Sequence, residues 1–211
     1  MRTVRTAIGS SALVMLMLAS SAMGESRTHT LRGEFAVTGS GVCVNSGQGF
    51  NSAPPSGFTQ DFIPLGPTFV NTNTVEGVLT FNGDGTGTAA LRFVSVGNPG
   101  AGSAFDTTYH FEYSVAADGV LQIVEGVAHS ITVAGPNASI GQQVTISAGR
   151  MFSGRVSSDR KSLTFATLTP AVETVTRLLP LPEVVTTVRM CHRHRVGFRI
   201  SRTSGSGGND D

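Results

Sequence analysis

Phe105-Asp106-Thr107-Thr108-Tyr109-His110-Phe111-Glu112-Tyr113-Ser114-Val115-Ala116-Ala117-Asp118-Gly119-Val120-Leu121-Gln122-Ile123-Val124 contains the local rule from which the rest of the chain is read. Phe105, Thr107, Tyr109, Phe111, Tyr113 and Val115 share one side of an extended backbone. Asp106, Thr108, His110, Glu112 and Ser114 share the other. Side chains alternate across a strand, so this pattern describes a strand with one buried face. Asp118-Gly119 then supplies a tight turn, and Val120 to Val124 returns antiparallel.

The same grammar extends in both directions. Val75 to Phe81 alternates, turns at Asn82-Gly83-Asp84-Gly85 and continues from about Thr88 to Val96. Val127 to Val133 and Ile140 to Ser147 flank Gly135-Pro136-Asn137. Met151 to Val156 and Ser162 to Leu168 flank Ser158-Asp159-Arg160. Leu31 to Thr38 opens the series and Val184 to Ile200 closes it, giving about ten strands in all. Short turns make successive strands antiparallel. A sheet this wide must curl closed or split. The expected fold is therefore all-β, an up-and-down meander closed into a barrel of about eight to ten strands, with a two-sheet sandwich as the alternative. Gly39 to Asn73 reads as a long connection, rich in Gly and Pro, that carries Phe50, Phe58, Phe62 and Ile63 as a possible lap over an opening. Thr169-Pro170 could cap a short helix, but the β-branched run Val172 to Thr176 favours a strand.

Gly33-Glu34-Phe35, the run Val75 to Gly87, and Gly154-Arg155-Val156-Ser157-Ser158-Asp159 resemble exported bacterial β-barrel proteins of uncharacterised role, similar in style to lipocalins or to the allene oxide cyclase barrel. The resemblance implies a small barrel. Its motifs are turn motifs, so it implies no activity and assigns no residue a role.

The chain ends carry a different signal. Arg2 and Arg5, an apolar run from Ala12 to Ala19, and Ala22-Met23-Gly24 have the order of a secretory signal over residues 1–24. The expected product is a single domain over 25–203 with a flexible tail at 204–211, exported to a periplasmic or extracellular location. After cleavage no stretch is long and apolar enough to span a membrane. Losing Arg2 and Arg5 leaves 13 basic residues against 14 acidic ones. That balance argues against a general nucleic-acid binder. Cys43 follows the first strand and Cys191 lies in the last. In a closed meander those strands are neighbours, and export permits oxidation, so a Cys43–Cys191 disulfide is expected.

Alternation in the last strand sorts Arg189, Cys191, Arg193, Arg195, Gly197 and Arg199 from Val188, Met190, His192, His194, Val196, Phe198 and Ile200. The second set is the more apolar, so His192 and His194 are expected to point inward. His129 keeps phase with Val127, Ile131 and Val133 and is expected to do the same. The expected ligand-binding residues are His192, His194, Tyr109, Tyr113 and His129. Two imidazoles two residues apart, about 7 Å along a strand, could share a zinc with His129 as third ligand. A simpler account has them hydrogen-bonded near a barrel mouth, so no cofactor or metal is assigned. The arginine stripe is expected on the solvated side, paired to Glu34, Glu173 or Glu183, or free to bind an anionic partner.

Three functions fit these residues. The leading one is a barrel binding a small apolar ligand in its interior or mouth. The second is a cavity enzyme of isomerase or cyclase type using inward histidines, with no catalytic residue identified. The third is a structural or surface-interaction protein with a filled core. No nucleophile elbow, phosphate-binding loop or His-Glu-x-x-His motif is present.

Overall fold

A computed structural model describes residues 31–50, 62–97, 102–136, 139–167, 172–178 and 184–200. The signal segment 1–24, the tail 204–211, Phe58 and Thr169-Pro170 lie outside them. The strands are β1 (Arg32–Ser46), β2 (Thr68–Asn82), β3 (Thr86–Gly97), β4 (Gly102–Val115), β5 (Val120–Glu125), β6 (Ala128–Ala134), β7 (Gln143–Ile146), β8 (Arg150–Val156), β9 (Ser162–Ala166), β10 (Val172–Leu178) and β11 (Val184–Arg199). Every pairing is antiparallel.

The sheet closes because β1 pairs with both β2 and β11. Any path around it crosses eight strands. β5 pairs with one half of β4 and β6 with the other half. β8 and β7 continue end to end beside them, and β9 and β10 do so beside β11. The fold is thus eight long staves, three of them interrupted. The closure expected from sequence is present, and a two-sheet sandwich is not. The Asp118-Gly119 turn is as expected: Gly119 has φ 83°, a region costly for other L residues, and its N–H donates to Ala116.

Two boundaries differ from the sequence expectation. β1 runs through Ser46 and β2 starts at Thr68, so both ends of the supposed connection from Gly39 to Asn73 are strand. What remains is anchored at its feet, where Ser46 Oγ donates to Leu65 O at 2.7 Å and Phe50 bridges to Pro64.

The side assigned to two strands is reversed. In β11, Cys191, Arg193, Arg195 and Gly197 are buried, while His192, His194 and Phe198 are exposed. The disulfide fixes this. Cys43 shares its side of β1 with the buried Phe35 and Val37 and pairs directly with Cys191. Any residue an even number of places from Cys191 must then face inward. In β6, Ala128, Ser130 and Thr132 face inward and His129 and Ile131 outward. The cause is a bulge. Phe111 pairs with Glu125, but Thr108 pairs with His129, so the β5–β6 stave has one residue more than β4 between those pairs. One extra residue exchanges the faces beyond it.

Candidate functional site

The ring has two unlike halves. One is filled by a contiguous core that includes Leu31, Phe35, Leu79, Phe81, Phe111, Tyr113, Leu121, Phe152, Leu163 and Phe165. Aromatic edges meet faces there, with Phe81 centred 5.4 Å from Phe35, 5.2 Å from Phe111 and 4.9 Å from Tyr113. The other half encloses a chamber of about 210 Å³. Asn45, Asn71, Asn73, Ser95, Thr107, Ser130 and Thr187 line it, together with Phe69, Phe93, Phe105, Val144, Ile146 and Val175. Phe69 and Arg177 line the chamber and are also exposed, so it reaches the surface at its far end. Val42, Val70, Val94 and Val96 are exposed on the outer face of these strands.

Between the halves lies a layer of charge. Glu125 ends β5, Arg150 begins β8, and Glu173 lies one residue into β10, so the interruptions in the staves position these three. Arg189, Arg193 and Arg195 come from the unbroken β11. Glu125 accepts from Arg195 Nη1 at 2.8 Å and pairs with Arg150 Nε at 2.9 Å. Glu173 accepts two hydrogen bonds from Arg193, one of them 2.8 Å from Nη2 to Oε2, and one at 2.9 Å from Arg189 Nε. Arg195 Nη1 also donates to the Tyr109 hydroxyl at 2.7 Å. The Arg195 guanidinium stacks 4.9 Å from the centre of Phe152, and that of Arg150 lies 5.5 Å from Tyr109.

Backbone close to the layer makes room for it. Gly39 pairs with Arg195 and Gly41 with Arg193. A Cβ at either glycine would come within 2.9 Å of the Cγ of its arginine. Isolated buried guanidinium groups would be very costly, and these persist because each one has a carboxylate.

The layer holds its protons in predictable places. Burial alone would raise both carboxylates. For Glu125 the positive charges of Arg195 and Arg150 outweigh it and hold the group below its usual range. For Glu173 the Arg193 and Arg189 guanidinium groups outweigh it and bring the value to about 2. Burial pushes the Tyr109 phenol up, so it stays neutral. Arg189 is brought down to about 10, first by burial and then by the neighbouring Arg193.

These shifts predict acid sensitivity. Glu173 has a lower value folded, about 2, than the ordinary 4.5. Its contribution is therefore complete above about pH 4.5 and is lost as pH falls toward about 2, because the unfolded chain binds the proton first. Urea denaturation between about pH 6 and pH 3 should show falling stability, with a shallower fall for Glu173→Gln. Equal slopes would contradict the assignment.

Of the residues expected to bind a ligand, the structure brings only Tyr109 to the chamber. Tyr113 faces inward but belongs to the filled half, where its hydroxyl donates to Leu31 O. His192, His194 and His129 are on the outer face, for the reasons given above. Among the described residues no three His, Cys, Asp or Glu side chains gather as a metal ion would require. The Cys43–Cys191 disulfide is present. Arg150 and Glu125 were not expected at a site, and Arg189, Arg193 and Arg195 were expected only as a stripe on the solvated side. The missed signal was the parity that Cys191 shares with Arg193 and Arg195. Glu173 was an expected partner of the arginine stripe and does pair with it, inside the ring rather than in solvent.

No protein-family model and no curated protein matches the chain. Among solved structures there is similarity to "Enduracididine biosynthesis enzyme MppR complexed with the condensation product of pyruvate and imidazole 4-carboxaldehyde", at 12% identity and a TM-score of 0.13, covering 92% of this chain and 99% of that one. A TM-score of that size supports neither a shared fold nor a shared chemistry.

Proposed function

We propose that the protein is a binding module that holds a small molecule in the hollow half of its ring. One observation supports this above the others: the interior is packed solid on one side of the charged layer and left open on the other. A ring of eight strands has just enough interior to fill completely or to hold one small ligand. Here the sequence does both, and the open half mixes aromatic and aliphatic walls with amide and hydroxyl groups, as ligand sites do. The proposed setting is an exported one, with which the disulfide is compatible. An enzyme of isomerase or cyclase type loses its support, because it called on inward histidines and His129, His192 and His194 are on the outer face.

The test uses a neutral apolar dye, N-phenyl-1-naphthylamine. Its fluorescence should rise saturably at about one dye per chain, as expected for one interior site of this size. Thr187 lines the chamber one inward position beyond Arg189 on β11, and its side chain is in no described ion pair. Thr187→Phe should abolish the signal and leave the melting temperature nearly unchanged. A non-saturating signal, or one indifferent to Thr187→Phe, would remove the proposal.

A further inference from the structure

We propose that the chamber selects an amphiphilic oxyanion, a ligand whose carboxylate-like head meets Arg189 while its apolar body lies against Phe69, Phe93 and Phe105. This rests on the chamber being a binding site and adds the chemical class of what it takes.

The first support is an unbalanced charge. The layer at the chamber floor contains four guanidinium groups, on Arg150, Arg189, Arg193 and Arg195, and two carboxylates, on Glu125 and Glu173. Tyr109 adds no negative charge, since burial keeps it protonated. Among the described residues lining the chamber, Glu125 is the only acid. A buried surplus of positive charge is costly unless an anion meets it.

The second support is where the surplus lies. Arg193 is committed to Glu173 through both Nη groups, and Arg195 to Glu125 and Tyr109. Arg189 differs. It meets Glu173 through Nε, its side chain keeps 18% of its exposure, and it borders the chamber. Its outer edge makes no hydrogen bond to a described residue, and a guanidinium edge is a fork that fits an oxyanion with two parallel bonds. Arg177 stands nearer the mouth on the same wall, two inward positions beyond Glu173 on β10, and pairs with no described acid. The two arginines mark a cationic path from mouth to floor, and the aromatic and aliphatic walls beside it suit an apolar body.

Calorimetric titration with octanoate and with octan-1-ol separates head from body, since the two probes share a chain length. Octanoate should bind at least about tenfold more tightly, the size of a charge-assisted bidentate contact. Arg189→Gln should erase most of that preference. Arg177→Gln should weaken octanoate binding about threefold and reduce its salt dependence, with octan-1-ol unaffected. Arg189 helps hold Glu173, so the test carries a second variant for the case in which Arg189→Gln does not fold. Arg177→Gln disturbs no described ion pair and then decides the matter by itself. Equal binding of the two probes, with the naphthylamine dye still bound, would overturn oxyanion selection and leave the binding module standing. No binding of either probe or of the dye would overturn both.

Discussion

Replacing Glu125 with Gln is expected to lower the unfolding free energy by about 3–5 kcal/mol, although the two side chains are nearly the same shape. Glu125 is 2% exposed and accepts from Arg195, itself 2% exposed, and it also pairs with Arg150. Gln would leave two guanidinium groups in the interior without a counter-charge. Neither can escape by losing its proton, since arginine remains charged in proteins. Nor can either reach water readily, because Arg195 is stacked on Phe152 and Arg150 on Tyr109. The cost therefore comes from stranded charge and not from lost packing. A triple variant tests that distinction: Glu125→Leu with Arg150→Met and Arg195→Met removes the charges together. It should be considerably more stable than Glu125→Gln, as replacing a whole buried ion cluster by apolar groups often is. Urea denaturation of the two variants gives the comparison. Asp106→Asn is the control, because the Arg92–Asp106 pair is about half exposed and should contribute little. If the triple variant were as damaged as the single one, packing rather than charge would govern this layer.

The filled half of the ring could be read directly from sequence because every local choice there agrees with the fold. Phe111, Tyr113, Leu121 and Ile123 alternate with polar residues and are buried, and Asp118-Gly119 turns where a hairpin must. The hollow half follows the opposite rule. Its inward residues include Asn71, Asn73, Ser95 and Ser130, while Val70, Val94, Val96 and Ile131 face out. Hydrophobic alternation assumes that the apolar side is the inner side. That assumption fails where an interior is lined for contact with polar groups, so it assigned the wrong face to His129, His192 and His194.

The correction was nevertheless within reach of the sequence. Phe35, Val37 and Cys43 share a parity, and a disulfide to Cys191 requires Cys191 to share their interior. Arg193 and Arg195 then have to be inside, whatever their hydropathy. Covalent geometry outranks pattern because a one-residue slip would separate the two sulfurs, whereas buried arginines can be accommodated by carboxylates and small neighbours. Gly39 and Gly41 were visible as gaps opposite those arginines. The bulge between β5 and β6 was not visible in this way. Gly126-Val127 marks a weak point, but no local residue preference states that β4 is one residue shorter there.

Removing the Cys43–Cys191 bond, by Cys43→Ser with Cys191→Ser, is expected to lower stability by up to about 5 kcal/mol, the loop-closure entropy of a cross-link this long. The bond joins residues 148 apart, so it closes most of the described chain into one loop. Its place in the fold makes the effect unusually direct. β1 is the first strand and β11 the last, and their pairing over Phe35–Ser46 is what closes the ring. In the unfolded chain without the bond, those two ends must find each other across the whole intervening chain. Serine is the right substitute here because the site is already polar: Asn73 Nδ2 lies 3.7 Å and Arg193 Nη2 3.9 Å from Cys43 Sγ. A hydroxyl at position 43 would accept from these donors and one at position 191, directly opposite, could donate to it, so the loss would report chain closure and not unsatisfied polar groups. The same substitution should slow refolding, since a long-range contact is no longer held in place before folding begins. Denaturation of the wild-type protein with and without reductant, with alkylation to verify that the thiols are free, measures the effect independently of mutation. Equal midpoints for the oxidised and fully reduced chains would mean that twelve residue pairs close the ring unaided.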